Sequence, residues 1–140
     1  MTITAVADWY LWSGQMIKFV ILGETPSKKN SKIWTKSRKL IPSKTHQKWH
    51  TDALLQLNAQ INRMGADAPN MIETPVEITL TFVHGDMVRR DSDNQAASIM
   101  DLLQDAKVLA DDRWQIVRNM HLINQFDKGH ARCLIEIKEL

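Results

Sequence analysis

The sequence has a single cysteine, Cys133, so the chain can form no internal disulfide bond. This scarcity favours a reducing compartment, and we expect a cytoplasmic protein. Glycine and proline are also few, at five and four of 140 residues, and no internal repeat or low-complexity segment is visible. These absences exclude a disulfide-stabilised secreted domain and a low-complexity chain.

Long hydrophobic runs are absent as well. No segment approaches the roughly 18 consecutive apolar residues of a membrane span, so no membrane partner is expected. Residues 1–15 do not resemble a signal peptide, because they lack a basic start and Asp8 interrupts their apolar run. We treat them as an N-terminal extension of uncertain role and expect one domain over residues 16–140, long enough to bury a core.

The net charge of +2 is too small to indicate a nucleic-acid-binding protein by itself. The cations are nevertheless concentrated in one stretch that contains no acidic residue: Lys28, Lys29, Lys32, Lys36, Arg38, Lys39, Lys44 and Lys48. Trp34 and Trp49 are interleaved with them. Such a mixture suits a polyanion with stackable bases, although a solvated loop can have the same composition.

Hydrophobic periodicity predicts a small α/β (α+β) domain with a mixed β-sheet flanked by two helices, in the order β-α-β-α-β-β. We expect strands over residues 17–22, 76–82, about 117–123 and 131–138, and helices over about 44–63 and 94–106. The basic stretch 27–43 is predicted to be a loop or a loose hairpin. Trp49, Ala53, Leu57 and Ile61 recur every four residues and form a core-facing stripe.

The segment RRDSDNQAASIMDLLQDAKVLADD, residues 89–112, surrounds one short helix with six aspartates: Asp91, Asp93, Asp101, Asp105, Asp111 and Asp112. The first two are expected just before the helix and the last two just after it. If the helix packs on the sheet, both of its ends can lie near one sheet edge. Clustered carboxylates repel one another unless a cation neutralises them, and Mg²⁺ prefers carboxylate oxygens together with water and phosphate. Such a site can activate water for phosphodiester hydrolysis, and Arg89 and Arg90 are placed to hold a DNA backbone beside it.

Structural roles explain the same residues one at a time. Asp91 or Asp93 can cap the helix, and Asp111 and Asp112 can be turn residues. A calcium loop is excluded, because the sixth and twelfth positions counted from Asp91 are Ala96 and Leu102 instead of Gly and Glu. His46 and His50 have the spacing of a zincin helix, but Gln47 leaves it without a general base. We therefore expect these histidines on an exposed or DNA-facing side.

These segments resemble the RusA family of Holliday junction resolvases. The match consists of Arg-Arg-Asp-x-Asp-Asn (89–94), Asp101 in Asp-x-Leu, Asp-Asp at 111–112, and the run PSKKNSK (26–32), and it covers about residues 16–138. The resemblance implies a homodimer that cuts four-way DNA junctions symmetrically in recombination and repair, often in phages and prophages. It also implies Mg²⁺ bound by the catalytic residues Asp91, Asp93 and Asp112, with Asn94, Asp101 and Asp111 in support.

The sequence departs from the family at Ala97, where a catalytically important lysine is usual. We hypothesise that Lys28, Lys29 or Lys32 supplies the missing charge, and these lysines, with Arg89 and Arg90, are the predicted DNA-binding residues. Two alternatives remain open: a DNA-binding protein with impaired catalysis, and a metal-dependent nuclease for other branched or linear nucleic acid. A purely structural interaction module would leave the aspartates and the basic stretch unexplained.

Overall fold

A computed structural model gives the fold of residues 16–28, 32–38 and 40–140; at residues 32, 34, 40 and 42 it describes the backbone alone. The expected N-terminal extension, residues 1–15, lies outside the described residues. The elements in chain order are β1 (Met16–Leu22), β2 (Lys32–Trp34), β3 (Leu40–Pro42), α1 (Lys44–Met64), β4 (Val76–His84), α2 (Ser92–Asp105), β5 (Val117–Phe126) and β6 (Arg132–Glu139). A single 3₁₀ turn, Gly65–Asp67, follows α1.

Four strands form one mixed sheet in the order β1-β6-β4-β5. Strand β6 is antiparallel to both β1 and β4, whereas β4 and β5 are parallel. The predicted α+β domain with two helices and the order β-α-β-α-β-β is confirmed. The basic stretch adds a separate two-stranded hairpin of β2 and β3, which is the hairpin alternative of the prediction.

The core lies between the sheet and the two helices. Alternation along β4 buries Ile78, Leu80 and Phe82 against the helices, as expected for a strand with one fully covered face. The stripe predicted on α1 contributes Ala53 and Leu57 to this core. Complete burial of side chains of leucine size stabilises the fold by about 1.5–3 kcal/mol each. Neither described helix has the length and apolarity to cross a lipid bilayer.

Helix α2 begins earlier than predicted. Its first residue is Ser92 and its N-cap residue is Asp91, so Asp93 lies in the first helical turn instead of before the helix. An acidic side chain in the first turn interacts favourably with the positive end of the helix dipole. Hydrophobic periodicity does not report this interaction, so it placed the start of the helix too late. Beyond the other end, Lys107 has a left-handed conformation, with φ of 62°, which stops the helix.

The two ends of α2 lie at opposite ends of the sheet. At the start of the helix, Ser92 accepts a hydrogen bond of 2.8 Å from Asn124, close to the end of β5. After the helix, the Ile116 carbonyl accepts a bond of 2.7 Å from the backbone N–H of Val76, the first residue of β4. A placement of both helix ends near one sheet edge therefore does not bring the aspartates together, because a crossover between parallel strands must return the chain to the opposite end.

The two edges of the sheet are protected differently. Along β1, Gln60 accepts a hydrogen bond from the Val20 N–H at 2.9 Å and donates to its carbonyl at 2.8 Å, and Gln56 accepts from the Leu22 N–H at 2.7 Å. Side chains of α1 therefore cover that edge. Strand β5 pairs with β4 alone, and most of its side chains are exposed. Within the described chain, β5 thus presents an edge open to a further strand.

Candidate metal and nucleic-acid site

The aspartates between residues 86 and 112 fall into two groups. Four are engaged within the protein: Asp86 by Arg90 (2.7 Å), Asp101 by Lys28 (2.8 Å), Asp105 by His50 (2.7 Å) and Asp111 by the backbone N–H of Asp112 (2.7 Å). The carboxylates of Asp91, Asp93 and Asp112 are exposed and have no hydrogen bond or ion pair with any described residue. The unengaged carboxylates are the three that were predicted to bind metal.

Asp91 and Asp93, hereafter the acidic pair, stand at the start of α2. Although Asp91 is the N-cap residue, its side chain makes no capping hydrogen bond to the helix backbone. A capping aspartate accepts such a bond and stabilises a helix by about 1 kcal/mol. This geometry gives no support to a capping role, and it leaves the Asp91 carboxylate accessible to a ligand. Asp111 does have the turn role, because its Oδ1 accepts from the next backbone N–H.

Asp112 is remote from the acidic pair within one copy of the chain. Leu109 forms a bridge with Ile72, ahead of β4, so Asp112 lies where β4 and β5 start. The 14 residues of α2 separate this end of the sheet from the acidic pair by roughly 20 Å. Within the described part of one copy, no three His, Cys, Asp or Glu side chains are placed to hold a metal ion. A site that uses all three aspartates therefore requires a second copy.

Lys28 lies along α2 beside Ala97. Its backbone N–H donates to the Asn94 carbonyl at 3.2 Å, and its ammonium contacts the Asp101 carboxylate at 2.8 Å. Asn94, Ala97 and Asp101 are spaced by three and four residues and so share one helix face. The Lys28 ammonium therefore reaches the face on which a lysine at position 97 would project.

The structure does not test the other two lysines, Lys29 and Lys32, that were proposed to supply the charge missing at position 97, an idea called the compensation hypothesis below. Lys29 lies outside the described residues, and Lys32, the first residue of β2, is described by its backbone alone. Their predicted contacts with DNA stay predictions. Asn94 and Asp101, predicted as supporting residues, are the two positions through which α2 binds Lys28.

The two arginines that precede the acidic pair have different surroundings. Arg89 is exposed, whereas the Arg90 guanidinium contacts Asp86 at 2.7 Å and Glu24 at 3.3 Å. The hydrogen bond from Arg90, helped by the backbone N–H of Val88, holds the pKa of the Asp86 carboxyl below its usual value. Arg90 thus ties its own loop together, and Arg89 is the arginine that faces solvent.

A polar network behind this loop was missed by the sequence analysis. The Glu24 carboxylate accepts hydrogen bonds from Gln95 at 2.9 Å and His84 at 3.0 Å, besides its contact with Arg90. His84 in turn bonds Asn124 at 2.8 Å through its other ring nitrogen. These residues come from separate segments, so no spacing in the sequence connects them. The only signal was the position of polar side chains at strand ends.

His46 and His50 lie between the two helices. His46 is buried and contacts Ser98 at 3.2 Å, whose hydroxyl donates to the Pro26 carbonyl at 2.7 Å. His50 pairs with Asp105 beside an open groove of about 570 Å³. The expectation of an exposed or DNA-facing side is wrong for His46, because the first turn of α1 packs against α2.

Comparison with known protein families gave no match, and comparison with curated proteins gave no match either. The resemblance to the RusA family therefore rests on the motifs in residues 26–32 and 89–112 alone. The function has to be inferred from the chemistry of the site.

Burial excludes Cys133 as a reactive nucleophile. The side chain is fully buried in β6, and desolvation raises the pKa of its thiol to about 12. The thiolate is the reactive form, and this rise in pKa lowers its fraction at pH 8 by about three orders of magnitude. We therefore expect the folded protein to react with a chromogenic thiol reagent at least about a hundredfold more slowly than the urea-unfolded chain. Absorbance of the released chromophore measures both rates, and a fast stoichiometric reaction of the folded chain would contradict this.

Proposed function

We propose that the chain is a Mg²⁺-dependent endodeoxyribonuclease that cuts branched DNA, with the four-way junction as its expected substrate, and that it acts as a homodimer in the cytoplasm. The observation that carries the proposal is the contrast among the aspartates of residues 86–112. Lys28, Arg90, His50 and a backbone amide engage the others, whereas Asp91, Asp93 and Asp112 have no partner among the residues that the structure describes. Exposed, unpaired carboxylates suit a hard divalent cation better than a structural role.

The donor set fits Mg²⁺, which takes carboxylate oxygens and keeps room for water and phosphate. When bound, the ion would activate a water and stabilise the leaving oxygen of a phosphodiester. Arg89 is exposed beside the acidic pair and is assigned to the DNA backbone. Lys36 and Arg38, in the turn between β2 and β3, are exposed and add two cations that could contact the DNA backbone.

A homodimer formed through β5 would complete the metal site. The open edge of β5 allows two copies to pair these strands about a two-fold axis, which requires an antiparallel arrangement and extends the sheet. Antiparallel pairing sets the start of one β5 beside the end of the other. Asp112 of the partner subunit then lies at the sheet end that carries Asp91 and Asp93, and two equivalent sites result.

Exposed apolar side chains support an interface at this edge. Met120, Ile123 and Phe126 lie on β5 itself, Trp114 precedes its start, and Met87 and Val88 lie near its end. The antiparallel arrangement brings Trp114 of one copy towards the apolar end of the other. Removing such groups from water contributes roughly 25 cal/mol per Å² of apolar surface. Two symmetric sites are also what the cutting of two junction strands requires.

The second candidate is a junction-binding protein with little catalysis, which Ala97 favours. The position of Lys28 beside Ala97 weighs against it, since an ammonium is present on that helix face. A nuclease for flaps, linear duplex or RNA would use the same site chemistry. Cleavage of a panel of branched and linear substrates, with and without Mg²⁺, distinguishes these functions.

Substitution of the proposed ligands should abolish cleavage and spare binding. We expect Asp91→Asn, Asp93→Asn and Asp112→Asn each to lower the rate of cleavage of a synthetic four-way junction by at least about a hundredfold, because each removes a carboxylate on which transition-state stabilisation depends. Junction affinity in a gel-shift assay should be retained, because the exposed cations are unchanged. Lost binding together with lost folding would instead support a capping role for Asp91.

A mixture of two inactive variants tests whether the site is shared. In a heterodimer of Asp91→Asn and Asp112→Asn chains, isolated through two different tags, one site carries both substitutions and the other has all its native ligands. We expect this heterodimer to nick one strand of the junction, although neither parent homodimer cuts. A wild-type chain that never cuts would refute the nuclease. An active wild type with inactive heterodimers would refute the shared site.

The position of the interface can be tested on one row of the sheet. Ile123 on β5 is the register partner of Thr81, which pairs with Leu134, which pairs with Val20 on β1. Ile123 and Val20 therefore lie in one row across the sheet, at its two opposite edges, and their side chains are similarly exposed, at 43% and 38%. We expect Ile123→Lys to give a monomer without cleavage activity, and Val20→Lys to remain an active dimer, because a lysine desolvated at an interface is costly. Sedimentation velocity measures both, and a dimeric Ile123→Lys protein would contradict an interface at β5.

Lys28 is expected to contribute charge during cleavage. Lys28→Ala should lower kcat by at least about tenfold with little change in junction affinity, since one fixed cation near a reacting phosphate contributes mainly in the transition state. Lys28→Arg should recover part of the rate, and Lys18→Ala on β1, which removes an equal charge elsewhere, should have no effect. An unchanged cleavage rate in the Lys28→Ala protein would show that the compensation hypothesis is wrong.

A further inference from the structure

We propose that Glu24 is a positioning residue for the acidic pair: it holds the loop before α2 and the first turn of α2 in the arrangement in which Asp91 and Asp93 bind a divalent cation. This inference rests on the proposed function of the acidic pair. Glu24 itself lies in the segment that follows β1 and contacts neither carboxylate in any described hydrogen bond.

One carboxylate receives donors from both sides of the acidic pair. Gln95, which donates at 2.9 Å, comes two residues after Asp93, and Arg90, which lies at 3.3 Å, directly precedes Asp91. Both contacts therefore end within two residues of a proposed metal ligand. Removal of the Glu24 carboxylate would take away one contact on each side of the acidic pair at once, leaving Arg90 with Asp86 and Gln95 with the Thr25 carbonyl.

The state of Gln95 indicates a positioning role. Its side chain is 1% exposed, and its amide nitrogen donates both to Glu24 and to the Thr25 carbonyl, the latter at 2.7 Å. Because both partners are acceptors, the amide cannot be turned over, and its oxygen is buried without a partner among the described residues. An unsatisfied buried oxygen lowers stability, so this side chain is better explained by where it holds the helix than by its contribution to folding.

A second route leads from Glu24 to the acidic pair through His84. The imidazole contacts Glu24 at 3.0 Å on one side and Asn124 at 2.8 Å on the other. The Asn124 amide then donates to Ser92 at 2.8 Å, and Ser92 stands between Asp91 and Asp93. Since positions 90, 92 and 95 are all connected to one carboxylate, the acidic pair is oriented by it.

Glu24, His84 and Asn124 are not members of the hydrophobic core, which the network touches where His84 stacks on Phe82 with ring centroids 6.5 Å apart. We therefore expect loss of the Glu24 contacts to disturb the site more than the fold. Outer contacts that orient metal ligands typically change metal affinity by 10–100-fold when they are removed. A role in stability alone would instead reduce the amount of folded protein and leave the affinity of the remaining folded protein unchanged. Metal affinity and stability therefore distinguish the two roles.

The test uses Glu24→Gln in the full-length chain, with Mn²⁺ binding measured by calorimetry and folding by thermal denaturation. We expect the Kd for Mn²⁺ to rise by about 10–100-fold. The Mg²⁺ concentration for half-maximal junction cleavage should rise in proportion, and excess Mg²⁺ should restore the wild-type rate. If Glu24→Gln does not fold, Asn124→Ala, which cuts the second route at an exposed position, should give a smaller rise in the Kd.

Asp105→Asn is the matched control. It also removes a contact of 2.7 Å between a carboxylate and a histidine, but Asp105 is the last residue of α2 and its partner, His50, lies on α1. Its Mn²⁺ affinity should equal that of the wild type. A Glu24→Gln protein that is folded and binds Mn²⁺ as tightly as the wild type would overturn the positioning role and leave the nuclease standing. A wild-type chain that binds no Mn²⁺ would overturn both.

Discussion

The parallel pairing of β4 and β5 is the constraint on which the rest of the structure depends. Parallel neighbours need a crossover, and α2 provides it by running the length of the sheet. The acidic pair before the crossover and Asp112 after it are consequently held at opposite ends. The same topology makes β5 the last strand of the sheet. The feature that separates the three aspartates therefore also supplies the edge through which a second copy can reunite them.

This separation has an electrostatic consequence. Three unpaired carboxylates in one place repel one another, and a single chain avoids that cost by keeping Asp112 remote. In the proposed dimer the repulsion returns at each site unless a cation is present. Binding of the ion and association of the chains are then linked by mass action, so each favours the other. The engaged aspartates, such as Asp86 and Asp101, have no part in this balance because protein cations already neutralise them.

Periodicity in the sequence was sufficient for the order of elements, because a repeat of two or four residues reports which side chains are buried. It contains no information on strand direction, so it did not reveal that the two ends of α2 lie at opposite ends of the sheet. The identity of the site residues came from a motif, whereas only the fold could show that they have no partner in the described part of the chain. Glu24, His84 and Asn124 were missed since hydrogen bonds between distant segments leave no period. His46 was misplaced because helix-to-helix packing overrode a polar side chain's preference for solvent.

Ala97 illustrates why position in space matters more than position in sequence. The stabilisation of a phosphate by a positive charge depends on where that charge lies in space. An ammonium on the segment after β1 can therefore act at the same helix face as an ammonium on a lysine of α2. A lysine side chain has a flexible stem of four carbons and loses conformational entropy when it is held in one position. In this chain the loss is borne before substrate binds, because Asp101 holds the ammonium and Asn94 holds the backbone of Lys28. In the proposed enzyme, Asp101 therefore supports the reaction by orienting a cation, which requires no metal contact of its own.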